Sequence, residues 1–265
     1  LNYGRITFGA ACTGAAKELF ERALLQSCQR YQFKRPIGSF DLVKKKLAIM
    51  AGKVYAMDAM TQLTAGLMDK GQSDVMLEAS ILKVFTSDCL WDILYDTMQI
   101  FGGRCFFSDQ PFERMMRDAR LNMIGEGANE VLRAFIGAVG MRDVGMQLKE
   151  FTDSLKSPFS SASTFFKHGK SMLRYLKQPQ VPIKSPHIVS EAKEFGKLIQ
   201  SFGRAIPKLL AKYKEDVVEQ QLALDRMATC AMSLYSLTAT LSKLDSEIID
   251  QCKPASELQK DTSVV

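Results

Sequence analysis

Apolar positions recur every three or four residues along most of this chain, the repeat of helices that bury one face. The pattern runs through residues 4–30 and is broken by Pro36 and Gly38, which predicts a first long helix. A second is predicted over residues 40–69, where Lys70-Gly71 supplies a stop. Ser73-Asp74 has the side chains of an N-cap, so a third helix starts there and ends at Gly102-Gly103. After a loop at residues 108–111, a short helical turn holds Arg114 to Arg120. The next long helix starts near Asn129 and reaches about residue 150. No stretch of useful length alternates with the period of two that marks a strand. Long helices with short connections predict an all-α fold, an antiparallel bundle over residues 1–150.

The pattern changes near Ser154. Residues 154–190 hold no acidic side chain but carry Lys156, Lys167, Lys170, Arg174, Lys177 and Lys184, punctuated by Pro158, Pro179, Pro182 and Pro186. We read 151–190 as a basic linker with one helical piece. On a helical wheel Phe165, Phe166, Met172, Leu173 and Leu176 share a side opposite Lys167, Lys170, Arg174 and Lys177. That is an amphipathic basic helix suited to a peripheral anionic membrane surface. Packing of the same apolar side on the bundle is the alternative. Helical pattern resumes at Glu191 and continues to about residue 250, with a break between Lys214 and Asp216, so 191–265 reads as a second helical domain. The polar tail 254–265 is expected to fray.

Composition adds limits. With 265 residues, 46% hydrophobic and 24% charged, the chain can bury the cores of one or two soluble domains. A formal net charge of +6 is mild and gives no ground for a nucleic-acid partner. No apolar run is long enough to span a bilayer. Six scattered cysteines without a CxxC pair, and two histidines, argue against a metal site. Most of the cysteines fall in apolar helical patterns and are expected to be small buried hydrophobes in a reducing compartment. The chain opens on LNYGR, without Met or a targeting segment, and reads as a piece of a larger protein.

Candidate chemistry concentrates in residues 99–133, QIFGGRCFFSDQPFERMMRDARLNMIGEGANEVLR. Glu126 stands between Gly125 and Gly127. Flanking glycines let the backbone approach a ligand and leave the carboxylate accessible, as proton abstraction requires. A solvated glutamate in a turn is the alternative. In RYQFKRPI, residues 30–37, a cation, a polar side chain and an aromatic at a helix end can grip a phosphate-bearing ring system. The same cations would also complement a helix C-terminus.

The ordered set Gln99, Ile100, Gly102, Gly103, Phe106, then Phe112, Glu113, Arg114, Arg117, Asp118, Arg120, then Glu126, Gly127, Asn129, Glu130, Val131 resembles the C-terminal helical domain of the acyl-CoA dehydrogenases. The resemblance implies an FAD enzyme that oxidises a fatty acyl-CoA to a trans-2-enoyl-CoA. Glu126 would remove the α-proton, with Arg5 beside it and Arg5, Glu126 and Gly127 around the substrate. Arg30, Gln32 and Phe33 would contact FAD, as would Gln99, Ile100, Gly102, Gly103, Ala128 and Glu130, with the Gly102-Gly103 segment reaching the FAD of a neighbouring subunit. Electron-transfer flavoprotein would be the acceptor. Residues 155–166 and 201–245 resemble the extension of very-long-chain members and of a related respiratory-complex assembly factor. Those are homodimers on the matrix face of the mitochondrial inner membrane; a bacterial relative would be cytoplasmic or membrane-peripheral. Three positions depart from the family pattern: Gly125 replaces an aromatic, Ala128 a threonine and Cys105 a glycine. They imply a second possibility, a weakly active relative serving as an assembly scaffold.

Overall fold

A computed structural model of the chain describes residues 1–72, 74–156 and 177–252. Contacts divide the chain into two compact units, Leu1–Ile136 and Gly137–Val265. The fold is all-α, helical bundle first and a second helical unit after it.

The first unit contains α1 (Asn2–Gln29), α2 (Asp41–Asp69), α3 (Met76–Phe101), α4 (Phe112–Asn122) and the start of α5 (Asn129–Lys156). Side-chain pairs give their directions. Thr13 meets Thr61 and Lys17 meets Asp58, so α1 and α2 are antiparallel. Lys46 pairs with Asp96 and Lys53 with Asp92, so α2 and α3 are antiparallel too. Arg5 reaches Ser80, and Thr97 donates to the Leu19 carbonyl, so α1 and α3 run in the same direction. The ion pairs are partly exposed and individually worth at most about 1 kcal/mol, so they set register more than stability.

Small side chains decide how closely α1 and α3 pack. Gly9, Cys12, Thr13, Ala16, Ala23 and Ser27 are all buried on one face of α1. A Cβ at Gly9 would lie 2.8 Å from Leu82 Cγ, so that face admits the side chains of α3 only because it is small. Residues 79–84 of α3 are all buried, which makes it the central helix. Helix α3 starts at Met76, and the Asp74 side chain accepts the Met76 N–H at 3.1 Å, so the sequence signal marks the right turn. Helix α4 is longer than the expected turn at residues 114–120, because Phe112 and Ala119 bury its inner face.

A two-strand hairpin, β1 (Tyr31–Gln32) and β2 (Arg35–Pro36), follows α1, with Tyr31 opposite Pro36 and Gln32 opposite Arg35. Two-residue strands are too short to show alternation in the sequence, and the fold remains all-α. Phe33 and Lys34 have φ of 50° and 66°, the mirror-image turn that fits strand twist and usually carries glycine. Phe33 meets Phe40 edge-on at 6.1 Å, and the Arg35 guanidinium lies 4.0 Å from the same ring, which holds the turn in this conformation.

In the second unit α6 (Val189–Tyr213) and α7 (Gln221–Cys252) are joined by a 3-10 turn at Lys214–Glu219, where Lys214 takes φ of 50°. The break expected between Lys214 and Asp216 is there. Phe195 near the start of α6 packs with Leu241 late in α7, so these two helices are antiparallel. The buried Asp245 carboxylate accepts the N–H groups of Lys184 and Ser185 and ties the incoming strap to α7. Among the described residues no helix is long and apolar enough to cross a membrane.

The cysteines differ from expectation. Cys12 and Cys89 are buried, and burial pushes their thiols up to about 11 and about 12, which makes them inert. Cys28 and Cys230 are exposed and Cys105 is intermediate, because a helix carries a small residue as readily on its wet face as on its dry one.

Candidate active site

The parallel run of α1 and α3 gathers their first turns at one end of the bundle, and the loop between α4 and α5 closes over them. In that loop Glu126 has φ of 58° and Gly127 φ of 104°. A left-handed backbone costs a non-glycine residue about 1–2 kcal/mol, and such strain persists only where surrounding contacts impose it. Glu126 is exposed. Its carboxylate lies against the first turn of α1: a Cβ at Gly4 would fall 3.0 Å from Glu126 Oε1. Helix α1 has no acidic residue of its own in that turn, so the carboxylate sits where the helix dipole receives an anion.

Two cations hold the loop, both through main-chain carbonyls. Arg5 Nε donates to the Glu126 carbonyl at 3.3 Å, and its Nη1 donates to Ser80 Oγ at 2.9 Å. Arg5 thus stands beside Glu126 and bonds that residue's backbone carbonyl. Lys83, with 0% exposure, donates to the Gly127 carbonyl at 2.8 Å and to Asn129 Oδ1 at 2.7 Å, and lies 5.8 Å from the Phe8 ring. The Asn129 amide donates in turn to Ser87 Oγ at 2.9 Å and Asp88 Oδ1 at 2.7 Å. Burial lowers the Lys83 pKa, with the nearby Asp88 opposing; burial raises that of Asp88. Sequence reasoning missed this network. Its signal was a lone lysine inside the apolar run ILKVF.

The other candidate residues fall in two groups. Gly127, half-buried Ala128 and exposed Glu130 stand with Glu126 and Arg5 at the acid end. Arg30, Gln32 and Phe33, all exposed, follow the far end of α1, and Phe33 is 85% exposed. Gln99, Gly102 and Gly103, also exposed, lie at the far end of α3. Gly102 has φ of 62°, and a Cβ on either glycine would meet nothing within 4 Å, so the backbone there is open to a ligand. Ile100 is buried in the apolar cluster and offers no exposed surface. The 28 residues of α1 set the two ends about 40 Å apart at 1.5 Å per residue. Of the membrane candidates, Phe165, Phe166, Lys167, Lys170, Met172, Leu173, Arg174 and Leu176 lie outside the described residues, and Lys177 is exposed.

A strained, accessible carboxylate clamped to a helical bundle, with an open double glycine at the opposite end, coincides with a family match. Residues 1–141 match the acyl-CoA dehydrogenase C-terminal domain, and the chain belongs to the acyl-CoA dehydrogenase family. Residues 186–260 match the ACAD9/ACADV C-terminal domain, so within that family it corresponds to the C-terminal part of a very-long-chain-like member. The mitochondrial very long-chain specific acyl-CoA dehydrogenases of Bos taurus and Homo sapiens are each 31% identical over 98% of this chain, which spans 40% of their length. An acyl-CoA dehydrogenase of Bacillus anthracis, complexed with FAD, superposes with a TM-score of 0.73 at 25% identity, over 92% of this chain and 42% of that one.

Proposed function

We propose that this chain serves the FAD-dependent α,β-dehydrogenation of a long or very-long-chain fatty acyl-CoA to the trans-2-enoyl-CoA, with Glu126 as the base. The observation that carries this reading is the strained backbone of Glu126, held by Arg5 and by the buried Lys83 network. The chain's residues fit FAD: the open backbone at Gly102 and Gly103 admits a flat or phosphate-bearing group, and exposed Arg30 and Gln32 supply a cation and a donor. When bound, FAD supplies the acceptor for the β-hydride. Glu126 takes the α-proton on a carboxylate oxygen, and the Glu126 main-chain N–H donates to the thioester oxygen, which makes that proton acidic enough to leave. Arg5 and Gly4 fix where the carboxylate points. Electron-transfer flavoprotein is the re-oxidising partner in this reading.

The two ends of the bundle bear on assembly. One chain cannot bring Glu126 and the Gly102-Gly103 turn to one reacting ring across about 40 Å. A homodimer that pairs the acid end of one subunit with the glycine end of the other supports the reading, and we propose that assembly.

The test is the flavin spectrum of the FAD-loaded full-length protein, taken without oxygen before and after palmitoyl-CoA. Bleaching of the oxidised band is the expected result. A flavin that binds and stays oxidised would instead support an assembly or scaffold protein that has kept the fold. Gly125, Ala128 and Cys105 favour that second reading. A Cβ at Gly125 would make only ordinary contact, 3.6 Å from the Leu121 carbonyl, so the backbone there does not itself demand a glycine.

The mitochondrial relatives support a mitochondrial location, and the basic pattern of residues 165–177 supports the matrix face of the inner membrane. Cardiolipin-containing vesicles are expected to pull down the protein at low salt. A variant with Lys167, Lys170, Arg174 and Lys177 changed to Gln should lose at least tenfold in binding, since each basic residue near an anionic surface contributes about 1 kcal/mol. Equal binding of both proteins, or binding to neutral vesicles alone, would remove the electrostatic anchor.

A further inference from the structure

We propose that Lys83 is a positioning residue for the Glu126 carboxylate, acting through the Gly127 carbonyl and the Asn129 side chain, with Ser87 and Asp88 orienting Asn129. The inference rests on the reading of Glu126 as base and adds a residue to it.

The geometry is specific. A lysine with no exposed surface is expensive, and burying it is tolerated only when its donors are matched. Here two donors go to the residues one and three places after Glu126. They are also the residues that define the loop's exit: Gly127 is left-handed, and Asn129 opens α5 and donates its own N–H to the Met123 carbonyl at 3.0 Å. Arg5 holds the Glu126 carbonyl from α1, and Lys83 holds the next carbonyl from α3. Two successive carbonyls, tied to two different helices, leave the peptide between them little freedom to rotate. Upstream, the Gly125 N–H donates to the Leu121 carbonyl at 2.9 Å, so Glu126 is bracketed on both sides and its left-handed φ and side-chain direction are held between that bond and the clamp. The Asn129 amide cannot turn over, because its nitrogen is engaged by Ser87 and Asp88 and its oxygen must face Lys83.

The step assigned to Glu126 needs its carboxylate within hydrogen-bond reach of one carbon. A misplacement of about 1 Å from a change outside the chemistry can cost about 10²-fold in rate. The test uses the FAD-loaded full-length protein with Lys83→Met, which keeps length and loses the donors, and Ser87→Ala, a milder change to the same network. Two readouts are taken: amide hydrogen exchange across residues 123–131, and kcat and KM with palmitoyl-CoA.

The expected result for Lys83→Met is exchange at least tenfold faster in that segment and unchanged in α1 and α2, with kcat down about 10²-fold and KM within threefold. Ser87→Ala should show the same local pattern at a few-fold. Lys83→Arg, which keeps charge and donors, should recover part of the rate. Unchanged exchange in residues 123–131 in both variants overturns the proposal. So does a rise in KM with kcat intact, or faster exchange spread over the whole bundle in Ser87→Ala. If the wild type bleaches no flavin, the proposed function fails while the exchange readout still decides whether Lys83 holds the loop.

Discussion

Replacing Glu126 with Gln is expected to abolish substrate-driven flavin bleaching while leaving the fold intact. Glutamine preserves the side chain's length and its place against Gly4, so the contacts at the first turn of α1 remain. It loses the basic oxygen. A positioned general base contributes about 10²–10⁴-fold, and a proton α to a thioester has no other acceptor in the loop, so the loss should lie at the upper end. Anaerobic stopped-flow reduction with palmitoyl-CoA measures it. A rate within tenfold of wild type would remove Glu126 from the role. The companion change Glu126→Gly separates strain from chemistry. It relieves the φ of 58° and should stabilise the protein by up to about 1 kcal/mol while being equally inactive.

The largest effect on stability is expected from Phe112→Ala. Phe112 has no exposed surface, begins α4, and its ring lies 4.5 Å from Phe101, the last residue of α3. The two rings bracket the turn that contains Gly102 and Gly103. Truncating a buried phenylalanine costs about 3–5 kcal/mol. For a domain of this size that lowers the melting temperature by roughly 10 °C or more. Calorimetry on the full-length protein measures the shift, and flavin retention during gel filtration reports the turn. A loss of under about 1 kcal/mol would mean that the turn is anchored from elsewhere, with Met115 and Met116 of the same cluster as the first places to look.

Much of this was legible in the chain. The long helices announce themselves because α1, α2 and α3 bury residues at helical spacing, and their ends carry Gly71, Asp74 and Gly102. The glycine pair around Glu126 marks a place where backbone rules are relaxed, which is why the loop stood out. What sequence could not show was which atoms bond. It offered Arg5 as a partner of Glu126, but a guanidinium can reach a carboxylate or a carbonyl, and only the register of α1 against α3 selects the carbonyl. The Lys83 network was hidden for a related reason: Lys83, Ser87 and Asp88 share α3, but Asn129, which links them, joins them only when α5 starts beside α3. The hairpin escaped because Phe33 and Lys34 adopt a turn normally written with glycine, held by contacts to Phe40 that no local pattern displays.

The shared direction of α1 and α3 has a consequence for inheritance. In the dimer proposed above, each subunit lends its acid end to one reaction centre and its glycine end to the other. A subunit carrying Glu126→Gln and a subunit carrying Gly103→Val are each silent when paired with themselves. A Cβ at 103 meets nothing within 4 Å, so that lesion is expected to obstruct the ligand while the chain still folds. Paired with each other, they rebuild one whole centre of two. Random mixing should therefore return about a quarter of wild-type turnover, readable by co-expressing the two forms under separate tags. Two alleles broken at opposite ends would rescue one another, and two broken at the same end would not.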